Sequence, residues 1–142
     1  MNPEERARHI VDQMYDNDAF SQWLGIERLE ERPGYAQLRM TVRPEMCNGM
    51  KIAHGGITFS LADSAFAFAS NGHGPRAVSV ETSISHLRAV QPGDVLTATA
   101  VEDHLGGKLG HYHVHIHNQD QALVALFKGT VYRLRETWET EK

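Results

Sequence analysis

The spacing of apolar positions predicts helices at the start of the chain. Apolar residues recur at helical intervals within Pro3–Tyr15, and the proline at its start suits a first helical turn. A shorter helix is predicted over Ala19–Leu24, where the following glycine ends it. The two predictions define an N-terminal helical segment over about residues 3–24.

Apolar and polar residues alternate along much of the remaining chain, which predicts strands. Gly55–Ser70 instead reads as one helix with apolar residues on almost every face, a pattern typical of a helix buried nearly all round. These elements predict an α+β fold, in which a curved antiparallel sheet of about five or six strands wraps one long central helix. The predicted strands are Ile26–Glu31, Tyr35–Val42, Val78–Leu87, Val95–Val101, Leu109–Asn118 and Ala122–Leu134.

Length and charge narrow the classes of protein. A chain of 142 residues suits a single domain over residues 1–142, and its net charge of −4 argues against nucleic acid as a partner. The single cysteine, Cys47, excludes an internal disulfide and fits a reducing compartment. The first residues lack the apolar core of a signal peptide, and Asp63 interrupts the longest weakly polar stretch. We therefore expect a soluble, cytoplasmic protein without a membrane partner.

Asp63 is the only ionisable side chain between Gly55 and Gly72. A carboxylate in the middle of an apolar helix is a poor helix former, and its burial is unfavourable unless something compensates. A structural reading would pair it with an arginine or a backbone group. We favour the alternative, a perturbed carboxylate that is used for chemistry.

The helix that carries Asp63 begins with His54-Gly55-Gly56. Two glycines at a helix start leave the backbone N–H groups unobstructed, and the positive end of the helix dipole favours a developing oxyanion. Glycines in this position are also common in ordinary tight turns. Together with a lone carboxylate further along the helix, the motif indicates a catalytic site.

These motifs carry a family resemblance. Asn48-Gly49, His54-Gly55-Gly56 and the segment 60–67 resemble the PaaI-type thioesterases of phenylacetic acid degradation, which belong to the hotdog-fold acyl-CoA thioesterases. The resemblance extends from about Met14 to Leu134. Two departures are Ser64, where threonine often follows the aspartate, and 86–89, His-Leu-Arg-Ala, where Phe-Leu-Arg-Pro is common.

The resemblance implies hydrolysis of an acyl-CoA without metal or cofactor, with a phenylacetyl or hydroxyphenylacetyl group as the expected acyl part. Asp63 would act as nucleophile or as general base, and the Gly55 N–H would polarise the thioester carbonyl. Asn48 would position substrate or water, and His54 would support the loop. Gly56 and Ser64 are expected to contribute to substrate binding.

The distance along the helix indicates where the site lies. Gly55 or Gly56 precedes Asp63 by seven or eight residues, which is roughly 10–12 Å along the helix axis. A single carbonyl cannot contact both groups at about 3 Å. A second, antiparallel copy of the helix could bring them together. We therefore expect homodimers with shared active sites, and the family implies assembly as dimers of dimers, a homotetramer.

Other polar features allow two interpretations each. Arg88, at a strand end, and Lys108, in a glycine-rich turn, are either CoA-phosphate ligands or ordinary surface charges. Four alternating histidines share one strand face and could bind a transition metal, but we favour a solvent-facing outer strand and predict no metal site. This histidine ladder consists of His111, His113, His115 and His117.

Two other functions are compatible with a fold of this kind. A hotdog acyl-CoA dehydratase would need a catalytic histidine, for which His54 is the candidate. A non-catalytic acyl-CoA-binding regulatory module would not need the Asp63 carboxylate. Thioester hydrolysis accounts for more of the motifs than either alternative.

Overall fold

The computed structural model describes residues 1–138, which begin with two helices. Helix α1 spans Pro3–Asp16, and Asn2 caps it by accepting the Glu5 N–H at 2.8 Å while the Glu5 carboxylate accepts the Asn2 N–H. Helix α2 spans Ala19–Leu24 and ends at a glycine with a φ of 74°. Both predicted helices are present, and α1 ends one residue later than predicted.

Six strands form one antiparallel sheet, at the upper end of the predicted number. Their order across the sheet is β1-β2-β4-β5-β6-β3. Strand β3 therefore forms one edge of the sheet and pairs only with β6. The strands are β1 (Glu27–Arg32), β2 (Tyr35–Thr41), β3 (Pro75–His86), β4 (Val95–Leu105), β5 (Leu109–His117) and β6 (Leu123–Thr137).

Helix α3 (Gly55–Asn71) packs against this sheet, as predicted. Its Phe66 is buried between Phe127 of β6 and Tyr112 of β5, with ring centroids 5.4 and 5.8 Å apart. Gly129 lies directly beneath the Phe66 ring, because a Cβ there would stand only 2.6 Å from it. The α+β arrangement of one central helix on an antiparallel sheet is therefore confirmed.

The prediction that α3 is buried nearly all round is wrong for one stripe. Ten of its 17 residues are buried, and the remainder follow one another along one side of the helix. The sequence pattern hid this side because alanine and phenylalanine occur on it as well. The open stripe consists of Gly55, Gly56, Phe59, Ser60, Asp63, Ser64 and Ala67.

Strand β3 is an exposed edge with apolar side chains. Val78 and Val80 are 47 % and 57 % exposed, and most other residues of the strand are also accessible. A 12-residue edge that pairs on one side only leaves a row of backbone groups open to another strand.

No helix within residues 1–138 is long and apolar enough to cross a membrane.

Candidate active site

The segment before α3 folds into a tight loop around Asn48. The Asn48 side-chain oxygen accepts the Met50 N–H at 2.9 Å, and its backbone N–H donates to the Ile52 carbonyl at 2.8 Å. Within residues 1–138, the side-chain NH₂ of Asn48 has no acceptor. That group remains available to a substrate or a water molecule.

His54 is the N-cap of α3. Its backbone is extended, with φ −60° and ψ 138°, and its Nδ1 accepts the Gly56 N–H at 3.1 Å. The expectation that both glycine N–H groups are free is therefore wrong for Gly56. The N–H of Gly55 has no acceptor among the described residues, so it is the donor that this helix start offers to a ligand.

A recess of about 360 Å³ opens beside this donor. Asn48, Gly55 and Arg88 line it, together with His86 at the end of β3 and the Thr58 side chain from the first turns of α3. Three of the predicted site residues thus lie together in one chain. An unpartnered N–H, an amide NH₂ and a guanidinium make the recess suitable for oxygen-rich, anionic groups.

Asp63 lies in a separate, smaller recess of about 180 Å³ on the open stripe of α3. Burial raises the pKa of its carboxyl, and the nearby Asp18 carboxylate raises that pKa further. Within residues 1–138, no group donates a hydrogen bond to Asp63 and no arginine pairs with it. The structural reading of this carboxylate therefore lacks the partner that it requires.

A short hydrogen-bond chain flanks Asp63. The Ser21 hydroxyl donates to the Asp18 carboxylate at 2.6 Å, and the Ser64 hydroxyl lies 2.8 Å from the Ser21 oxygen. Because the Ser21 proton points to Asp18, Ser64 donates to Ser21. The Ser64 proton is thus used to hold α2 against α3 and does not point to a ligand.

The structure keeps Gly55 and Asp63 apart within one chain. Asp63 is eight positions after Gly55 in α3, about 12 Å along the axis, and the two residues line different recesses. Both nevertheless lie on the open stripe of the helix. Within one chain, the two groups therefore cannot contact the same carbonyl.

Arg88 and Lys108 are also far apart. The Arg88 N–H bonds to the Val124 carbonyl, whereas the Lys108 carbonyl accepts from the Arg133 N–H. Val124 and Arg133 are nine positions apart in β6, which corresponds to roughly 30 Å. Arg88 therefore shares a recess with Gly55, and Lys108 of the same chain does not.

The histidine ladder lies on the outer, solvent-facing side of β5 and alternates with buried residues, as predicted. The expectation of an outer strand is wrong, because β5 lies between β4 and β6 in the sheet. Strand pairing brings Asp103 of β4 to 2.6 Å from the Nδ1 of His113, a partner that sequence proximity did not reveal. Burial and the neighbouring His113 and His117 lower the pKa of His115. No group of three or more potential ligands is arranged for a metal ion within residues 1–138.

Sequence reasoning gave no role to three residues beside the candidate site. Asp18, the N-cap of α2, and Ser21 of α2 line the same recess as Asp63. The only sign of them in the sequence was that Asp18 stands where a helix N-cap is expected. His86 adjoins Gly55 from β3, with its Nε2 3.3 Å from the position that a Cβ on Gly55 would occupy. The unusual histidine in the 86–89 segment was the signal for this contact.

Comparison with known proteins places the chain in a family. Residues 50–125 match the family model described as the thioesterase superfamily. The chain is 46 % identical over 124 residues to the acyl-coenzyme A thioesterase PaaI of Escherichia coli K12, a match that covers 87 % of this chain and 89 % of the relative.

Solved structures agree with this placement. The E. coli PaaI protein from the phenylacetic acid degradation operon superposes with a TM-score of 0.93 at 43 % identity, covering 96 % of this chain and 99 % of that one. A Streptococcus mutans UA159 protein solved with acetyl-CoA gives a TM-score of 0.75 at 26 % identity, covering 77 % and 88 %. The fold is the hotdog fold. The family model matches more than half of the chain, and the E. coli thioesterase is 46 % identical over 89 % of its own length. The chain therefore belongs to the thioesterase superfamily.

Proposed function

We propose that this chain hydrolyses an acyl-CoA thioester to a free acid and CoA, with water as the second substrate and no metal or cofactor. The observation that carries the proposal is an unpartnered carboxylate, Asp63, on the same open helix stripe as an unpartnered N–H, at Gly55. The similarity to E. coli PaaI supports the reaction and suggests a phenylacetyl or hydroxyphenylacetyl group.

The proposed roles follow from the chemistry of each group. The Gly55 N–H, at the positive end of the α3 dipole, would hold the thioester oxygen as negative charge develops on it. Asp63 would act as nucleophile or general base, and the raised pKa of its carboxyl brings its basicity closer to what proton transfer near neutral pH requires. Asn48 would orient substrate through its free NH₂, and Arg88 would bind a CoA phosphate.

The site is proposed to form between two subunits. An antiparallel copy of α3, laid along the open stripe, would place Asp63 of one chain opposite Gly55 of the other. The exposed edge of β3 supports such a pairing, because it can continue the sheet into a second copy. We expect homodimers of this kind to associate as dimers of dimers, in the cytoplasm, where a lone thiol such as Cys47 stays reduced.

A thiol-release assay against a panel of CoA thioesters tests the reaction and ranks the acyl groups. Asp63→Asn, which is nearly isosteric, should lower kcat at least about 100-fold. Circular dichroism and thermal unfolding of the variant serve as the control for folding. A folded Asp63→Asn protein with near-normal kcat would remove Asp63 from the chemistry. Failure of the wild type to release thiol from any member of the panel would overturn the function itself.

A further inference from the structure

The strongest unassigned feature of the recess is the imidazole of His86. This residue ends β3, is exposed to solvent, and lines the same recess as Asn48, Gly55 and Arg88. Its Nε2 lies 3.3 Å from the position that a Cβ on Gly55 would occupy. The ring therefore stands beside the N–H that is proposed to hold the thioester oxygen.

Hydrogen bonds from α3 determine which ring nitrogen is free. The buried Thr58 hydroxyl donates its only proton to the Gly55 carbonyl at 3.0 Å. The same oxygen lies 3.3 Å from His86 Nδ1, so it can only accept a hydrogen bond from that nitrogen. A neutral imidazole held in this way carries its proton on Nδ1 and its lone pair on Nε2.

An acceptor and a donor thus stand side by side without partners. The Gly55 N–H can bind a carbonyl oxygen, and His86 Nε2 can accept a proton from a water molecule next to that carbonyl. A general base acts either in direct contact with the proton that it removes or through one water, and a water held in this recess beside the Gly55 N–H would lie within that reach of Nε2. Within residues 1–138, Nε2 forms no hydrogen bond that would block the role.

We propose that His86 is the general base that activates the hydrolytic water. The assignment rests on the proposed function and gives Asp63 the part of nucleophile. In the first step the Asp63 carboxylate attacks the thioester carbon, the C–S bond breaks, and CoA leaves as the thiolate with a mixed anhydride left on Asp63. In the second step His86 takes a proton from water as its oxygen attacks the acyl carbon. The C–O bond to Asp63 then breaks, the carboxylate is restored, and the proton passes to solvent or to the CoA thiolate.

Three variants test the assignment. His86→Phe keeps a ring of similar shape without the nitrogen, His86→Gly opens a space that free imidazole can enter, and Thr58→Val removes the hydroxyl that holds Nδ1. His86→Phe should lower kcat about 100-fold or more with a burst of one CoA thiol per active site, because acylation continues while deacylation is slow. Mass spectrometry of the burst-phase protein should find the acyl group on Asp63. Added imidazole should restore turnover to His86→Gly but not to His86→Phe, and Thr58→Val should lose a smaller part of kcat.

The measurements separate the possible failures. A wild-type kcat in folded His86→Phe would overturn the inference and leave the proposed function intact. A lower kcat without a burst of CoA thiol would have the same consequence. An effect on KM alone would reassign His86 to substrate binding and also overturn it. If His86→Gly proves unstable, the burst and the acyl adduct of His86→Phe still decide the matter. Absence of wild-type turnover would overturn the proposed function and the role of His86 with it.

Discussion

The proposed shared site makes a quantitative prediction for mixed dimers. In a two-fold dimer each site would take the Gly55 N–H from one chain and the Asp63 carboxylate from the other. Gly55→Pro removes the N–H, and Asp63→Asn removes the carboxylate, so each homodimer should be nearly inactive. A dimer with one chain of each kind collects both lesions in one site and neither in the other. It should recover about half of the wild-type activity per dimer.

The structure indicates that Gly55→Pro is compatible with the fold. Gly55 is the first residue of α3, where proline is favoured, and His54 before it has the extended backbone that a following proline requires. The remaining concern is crowding, because a Cβ at Gly55 would lie 3.3 Å from the His86 ring. Gly55→Ala adds this contact but keeps the N–H, so its activity measures the steric part alone.

The assay is thiol release by heterodimers that are co-expressed with two different tags and purified through both. Sedimentation or native mass spectrometry confirms their composition. If both groups acted within one chain, every site would keep one lesion and no activity would return. Correctly folded heterodimers as inactive as their parents would therefore refute the shared site.

Further perturbations probe the charged residues and the question of a metal. Asp18→Asn keeps a good helix cap but removes the like charge, so the acid limb of kcat/KM, set by Asp63, should move to lower pH, measured as a pH–rate profile. The pKa of Asp63 in the folded state lies above its unfolded value of about 3.9. The free energy of unfolding of the wild type therefore falls as the pH rises from the unfolded pKa to the folded pKa. Asp63→Asn should consequently raise the melting temperature at pH 7, with a smaller gain below the unfolded pKa. Arg88→Ala should raise KM for CoA substrates roughly tenfold with little change in kcat. Lys108→Ala, the matched charge removal, should leave KM unchanged, and a raised KM would instead place Lys108 of another subunit at the CoA site. Prolonged chelation should not reduce turnover, and a loss that zinc restores would reassign the histidine ladder.

The sequence predicted most of the fold because its elements follow regular periods. The alternation of β5 assigned the histidine ladder to the outer face, and the apolar run from Gly55 identified the central helix. The accessibility of the open stripe was not predicted, because alanine occurs both in buried cores and on accessible helix faces. Only the packing of α3 on its own sheet shows which of its alanines remain accessible.

The sequence predicted the part of the candidate site that lies on helix α3 and on the loop before it. Asn48, Gly55 and Asp63 are close in sequence, so their spacing could be interpreted directly. His86 and Asp18 reach the same helix through tertiary packing, and a single sequence does not encode those distances in any local pattern. The capping of the Gly56 N–H by His54 likewise depends on a rotamer that the sequence does not specify.

The exposed edge of β3 links the behaviour of this protein to its concentration. If that edge and the open stripe of α3 are covered only by a second copy, mass action governs both stability and catalysis. Activity per subunit would then fall on dilution below the dissociation constant of the dimer, and would return on concentration or with bound substrate. Until they dimerise, newly made chains would also be prone to non-specific self-association through the two exposed valines, Val78 and Val80, on the open edge of β3. The activity of such a dimer would therefore depend on expression level as well as on temperature and pH.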